Sequence, residues 1–235
     1  MAKMNEIRKI RVLLIAVVLV TTCIGCPLRS DDDANTEDPI LERVLITIAF
    51  FENAQMPSGE ICDPEISIFD VWETVNASLA VSLWADYIDW DVQNMIEKAC
   101  YFLKSSENAN GMVLHNKNHH GTFCLETSSE YICLLIRIYS AAEPKVMEKL
   151  EYVKLEQLPS GPWNIVSPVI PPHLQRFPSV TGFALKALLS GGQTPKDYNS
   201  AMKFLLNLQN TDGCWGVEGV YYGTPFYVMA PILWI

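Results

Sequence analysis

Four histidines, seven cysteines and a few closely spaced acids are the groups in this 235-residue chain with chemistry to offer. His115, His119 and His120 crowd one stretch, and His173 stands apart. If that stretch folded back, His115 and His119 with Cys124 would supply three donors suited to a transition metal. The intervening Asn116-Lys117-Asn118 reads instead as an ordinary solvated loop. Asp70 and Glu73, three residues apart at a helix start, fit an N-cap and its capping-box partner. Asp31-Asp32-Asp33 looks like a metal–diphosphate motif, but in an acidic segment without periodicity it reads as solvated charge. Apart from Cys23 and Cys26 there are five cysteines, an odd number that leaves at least one thiol unpaired. Cys100 and Cys133 sit in apolar helical patterns as core residues. Cys62, Cys124 and Cys214 fall in loops, where a pair could form.

A repeat has to position these groups. Four segments align on a glycine: those ending at Gly59, Gly111, Gly161 and Gly213, spaced by 52, 50 and 52 residues. Gln55, Gln157 and Gln209 each stand four residues before their glycine. Ahead of each glycine runs an amphipathic pattern, Ile40, Leu41, Val44, Leu45, Ile48 and Phe51 in the first copy, Tyr198, Ala201, Met202, Leu205 and Leu208 in the fourth. Thr194 and Pro195 supply a start signal for that fourth helix, as N-cap and first helical residue. The glycines suit a helix exit that needs positive φ.

A second, more apolar helix follows each glycine, predicted over 71–84, 127–140, 179–190 and 224–235, with starts near Thr74, Ser129, Thr181 and Thr224. Ile132, Leu134, Leu135, Ile136 and Ile138 almost encircle the second of these, which marks a helix buried on both sides. An outer layer with one wet face and an inner layer with none follows. The fold class is therefore all-α: four helical hairpins, about eight main helices, stacked as an α/α toroid or an open arc. The repeats span about 40–88, 89–142, 143–192 and 193–235. Tyr131, Phe183, Tyr222, Phe226, Tyr227 and Trp234 fall on or beside the inner helices, where they either line an apolar cavity or pack between layers.

Gln209-Asn-Thr-Asp-Gly213-Cys-Trp215-Gly resembles the Gln-and-Trp repeat of squalene-type cyclases and the glycine-rich repeats of protein prenyltransferase β subunits. Val71-Trp72-Glu73-Thr74 is similar to an inner-helix start of the cyclases. Leu125-Glu126-Thr127 and the run 179–188 are similar to prenyltransferase inner helices. The resemblance covers 40–235, and it implies an α/α toroid and a cavity for an isoprenoid or other apolar chain. It says less about chemistry, because the repeated glutamine and tryptophan serve mainly to tie outer helices to loops. Such cyclases protonate an alkene with an Asp-x-Asp-Asp motif. The nearest match here, Asp70-Val71-Trp72-Glu73, has tryptophan in place of the acid, which leaves Asp70 and Glu73 as weak catalytic candidates. Protein prenyltransferases hold zinc with aspartate, cysteine and histidine. Asp212 and Cys214 reproduce the first two, but no histidine follows them. No cofactor is expected, zinc being the one with partial donors.

Residues 1–26 read as an export signal: Lys3, Arg8, Lys9 and Arg11 precede an apolar run at 12–20, too short to span a bilayer comfortably. Ile24-Gly25-Cys26 resembles a bacterial lipobox, with Cys23 where leucine is usual, and implies a lipid on Cys26. Plain secretory cleavage and an uncleaved anchor are the alternatives. All three place the repeat domain, 40–235, outside the cytoplasm, on an acidic tether at 27–39. The net charge of −10 and the absence of a basic stripe argue against nucleic acid as a partner. Toroids of the resembling families close with more hairpins than four, and the last predicted helix runs to Ile235 without a cap. An open arc, or a chain cut short from a longer parent, is expected, with self-association through its uncapped end. Function divides between a membrane-anchored, non-catalytic binding or scaffold module that engages a protein or peptide and an isoprenoid-handling enzyme, or its truncated remnant.

Overall fold

The computed structural model describes residues 39–62, 70–114, 116, 123–165, 177–211, 213, 215 and 232. Among them are seven helices and no strand. They are α1 (Pro39–Ala54), α2 (Asp70–Trp84), α3 (Gln93–Ser105), α4 (Leu125–Tyr139), α5 (Pro144–Leu155), α6 (Pro178–Ser190) and α7 (Tyr198–Leu208). The order gives three complete hairpins and the first helix of a fourth. Of the predicted helix at 224–235 only Ile232 is described, and it is helical and buried.

Two layers are set by burial. α2, α4 and α6 make the most extensive contacts, with α4 between the other two, and each packs against the outer helix that follows it in the chain. α3 buries one stripe, Met95, Ile96, Ala99, Phe102 and Leu103, whereas α4 is buried continuously from Leu125 to Leu135. α2 and α6 bury many small residues, among them Ala77, Ser78, Ala80, Ala184 and Ala187, which lets the inner helices come close.

The apolar encirclement expected for α4 holds only for its second half. Its first half buries Glu126, Thr127, Ser128, Ser129 and Glu130. Hydrogen bonds to Ser128, Ser129 and Glu130 offset part of the cost of that burial. Ser129 Oγ donates to the Leu125 carbonyl at 2.7 Å. Asn76 of α2 donates to Glu130 at 3.4 Å across the inner layer.

One turn recurs at every glycine. The amide of Gly59, Gly111, Gly161 or Gly213 donates to the carbonyl three residues earlier, and all four glycines have positive φ. Two residues beyond the glycine, the Ile61, Val113 and Trp163 amides donate to Thr74, Ser128 and Thr181 in the first turns of the inner helices, at 2.9, 3.0 and 3.4 Å. In the third and fourth copies that position is tryptophan. Trp163 and Trp215 each donate Nε1–H at 2.7 Å to an outer-helix carbonyl ten residues earlier, Val153 or Leu205. The loop is thereby stitched to both of its helices.

The start of α7 differs from the sequence expectation. Thr194 is not its N-cap and Pro195 is not its first residue. Asp197 caps it, with Oδ1 accepting from the Ser200 amide at 2.8 Å and Oδ2 from the Ser200 hydroxyl at 2.7 Å. The reason lies in the preceding repeat. Gln157 Nε2 donates to the Asp197 carbonyl at 2.8 Å, and the Asp197 amide donates back to Gln157 Oε1 at 2.9 Å. That paired amide fixes the backbone at 197 in an extended conformation, so the helix cannot begin earlier.

Ser140, directly after α4, has φ 99° and ψ 148°, a region natural only to glycine. Its amide closes α4 on the Ile136 carbonyl at 3.0 Å, and its Oγ accepts from the Ala142 amide at 3.2 Å. Ser140→Gly should therefore raise the unfolding free energy by about 1 kcal/mol, strain relief outweighing glycine's extra chain entropy. Urea denaturation checks this, and an unchanged or lower midpoint would mean that no strain is stored there.

Candidate functional site

The repeat is regular at its first and third junctions and irregular at its second. Gln55 Nε2 donates to its own Gly59 carbonyl at 3.0 Å and to the Met95 carbonyl of the next outer helix at 2.9 Å. Gln157 does the same with Gly161, at 2.8 Å, and with Asp197. At these junctions the glycine itself abuts the next outer helix: an added Cβ at Gly59 would collide with the Lys98 carbonyl, and one at Gly161 with the Ser200 carbonyl group.

The second copy has Glu107 where the glutamine stands. A carboxylate cannot donate to the Gly111 carbonyl. Lys149 of α5 does so instead, at 2.6 Å, and the same ammonium pairs with Glu107 at 3.0 Å. Gly111 therefore meets the end of a lysine side chain, not helix backbone. A cleft of about 550 Å³ lies at this junction, between α3 and α5.

α4 forms the floor. Tyr131 donates to Glu107 at 2.9 Å, and Lys149 Nζ lies 5.7 Å from the centre of its ring. Burial, with the Glu107 carboxylate alongside, pushes the Tyr131 hydroxyl well above the usual phenol range, so it stays protonated and donates to that carboxylate. On one wall the Tyr152 ring meets Phe123 edge-on at 5.6 Å. Tyr139 stands at the rim, 56 % exposed. Cys100 also lines the cleft, but burial and then the Glu97 carboxylate raise its thiol to about 11. The thiol is protonated at neutral pH and is no nucleophile. The cleft offers ring faces, amides and fixed charges, which is binding chemistry.

The sequence candidates are placed as follows. Tyr131 lines the cleft, while Phe183 is buried on α6 away from it. Asp70 opens α2, where its Oδ1 accepts from the Val71 amide at 2.9 Å, and neither it nor Glu73 reaches the cleft. Cys62 and Cys124 are not joined to each other, so the pairing left open between these two is not made. Cys124 is buried at the head of α4, its thiol pushed up to about 12 by burial and then Glu126. Cys26, His115, His119, His120, His173, Asp212, Cys214, Tyr222, Phe226, Tyr227 and Trp234 lie outside the described residues. Among the described residues no three His, Cys, Asp or Glu side chains come together to hold a metal. None of their helices is long and apolar enough to cross a membrane.

The Glu107–Lys149–Tyr131 network was missed from sequence. Its signal was the glutamate that breaks the glutamine series, together with a lysine on the buried face of α5. No family model matches this chain, and no curated protein is significantly similar to it.

Proposed function

We propose that this protein is a non-catalytic binding or scaffold module of prenyltransferase-like helical hairpins, exported and held at the outer face of a membrane by a lipid on Cys26. The observation that carries the reading is the fate of the inner-helix starts, where the resembling enzymes keep their reactive groups. Here Thr74, Ser128 and Thr181 are each occupied by a loop amide, and the Asp70 carboxylate by the amide next to it. Trp72 stands where a proton donor would be needed. Groups committed to holding the fold are not free to start a reaction.

Incubation of the full chain in detergent with farnesyl diphosphate, geranylgeranyl diphosphate and squalene should yield no product. A product lost on Asp70→Asn would overturn the reading in favour of an isoprenoid-handling enzyme. The anchor has its own check: mass spectrometry of the N-terminal peptide should find a diacylglyceryl group on Cys26, and Cys26→Ala should release the protein from membranes. An unmodified Cys26 in membrane-bound protein would remove the lipid from the proposal.

A further inference from the structure

We infer that the cleft between α3 and α5 is a carbohydrate site, taking a short neutral saccharide against the rings of Tyr139 and Tyr152. The inference deepens the binding-module reading and rests on it.

The opening is built into the repeat. It sits at the one described junction where the glutamine clamp is replaced, and where the Lys149 side chain, not helix backbone, faces the glycine. Its floor and wall are fixed in advance: Tyr131 by Glu107 and Lys149, and Tyr152 by the edge-on ring of Phe123. Preorganised rings lose little freedom on binding, which favours a ligand recognised by flat faces. The size lies within the range of small-molecule sites.

Charge narrows the occupant. The chain is strongly acidic, but the cleft is lined by Lys104, Lys145 and Lys149 against Glu107, Glu143 and Glu148, so its formal charge is zero. Neither an acidic nor a basic peptide would be steered into it. An isoprenoid chain would strip water from these charges and from Asn108 and Asn110 without returning a hydrogen bond. Sugar hydroxyls both donate and accept, as do the asparagine amides, and the C–H faces of a pyranose lie flat on tyrosine. A neutral saccharide satisfies both kinds of wall at once.

The test uses the full chain in detergent with cellotetraose, chitotetraose and maltotetraose, followed by saturation-transfer NMR and calorimetry. At least one should bind, with transfer to its ring C–H protons. Tyr139→Ala removes an exposed ring at little cost to folding, and Ala109→Trp blocks the rim from an exposed turn. Each should weaken binding tenfold or more. Tyr101→Ala, which removes an exposed tyrosine outside the cleft, should leave it unchanged. Binding of none of the three sugars, or binding indifferent to both cleft variants, overturns the assignment. So does a pool of random hexapeptides that binds through Tyr139 when the sugars do not. Turnover of a prenyl diphosphate or squalene would instead sink the non-catalytic reading, so the two failures are distinguishable.

Discussion

Gly161→Ala should lower the unfolding free energy by about 4 kcal/mol, whereas Gly213→Ala, the same change at the equivalent position one repeat on, should cost about 1 kcal/mol. Both glycines close the same turn and both have positive φ, 104° and 85°. An alanine at either pays the penalty of a left-handed backbone. Only Gly161 pays a second one, because its new methyl group would overlap the Ser200 carbonyl group and the Ala201 amide of α7. Those are backbone atoms of a helix already pinned by Asp197 to Gln157, so they cannot swing aside as a side chain would. Around Gly213 no described atom lies within 4 Å of the added carbon. Equilibrium urea unfolding followed by circular dichroism measures the difference. Equal losses for the two variants would mean that the glycine does not serve as a contact surface between repeats, only as a turn.

That contrast marks where the sequence is legible. The four glycines and three glutamines, spaced by about fifty residues, announce the hairpins, because a positive φ and a side-chain clamp are demands that few residues meet. Helix positions follow from the apolar periodicity: α2, α4 and α6 begin within two residues of the ranges 71–84, 127–140 and 179–190, though three or four residues ahead of the start residues Thr74, Ser129 and Thr181. What the pattern does not carry is the partner of each repeated group. Gln157 could be seen to belong to the turn, but not that its amide reaches forty residues ahead to Asp197 and dictates where α7 starts. Thr194-Pro195 is a good local start signal, yet it loses to a hydrogen-bonded pair whose other half lies in a different repeat.

The candidate site was less legible for a related reason. Local readings favour motifs, and the cleft is made by a departure from one. Glu107 looks like a harmless change in a degenerate repeat, and Lys149 like an ordinary lysine on an amphipathic helix. Their pairing across two hairpins becomes visible only when α5 is placed against the turn at Gly111. Tyr131 could be named as an aromatic on an inner helix, but not as the floor of an opening in the outer layer. The buried polar half of α4 escaped in the same way: Glu126 and Glu130 stand one turn apart in a segment whose later residues are strongly apolar, and the apolar signal dominated.

Lys149→Ala should cost about 3 kcal/mol, and the double change Glu107→Gln with Lys149→Leu should restore stability to within about 1 kcal/mol of the parent. The single variant leaves the Gly111 carbonyl without its donor and the Glu107 carboxylate without its counter-charge, in a place where Lys149 is only 7 % exposed and Glu107 21 %. Breaking a buried pair in this way ranges up to about 5 kcal/mol, and the remaining Tyr131 hydrogen bond keeps this case near the lower end. The double variant converts the junction to the chemistry of its neighbours. A glutamine at 107 stands four residues before its glycine, as Gln55, Gln157 and Gln209 do, and each of those donates to the glycine carbonyl. Leucine then fills the lysine's apolar volume without a charge to solvate. A double-mutant cycle in urea gives the coupling directly, and because the ion pair is largely shielded from water, added salt should change that coupling little. Additive losses would show that Lys149 and Glu107 act independently, and the account of the cleft as a glutamine junction rebuilt around an ion pair would fall with them.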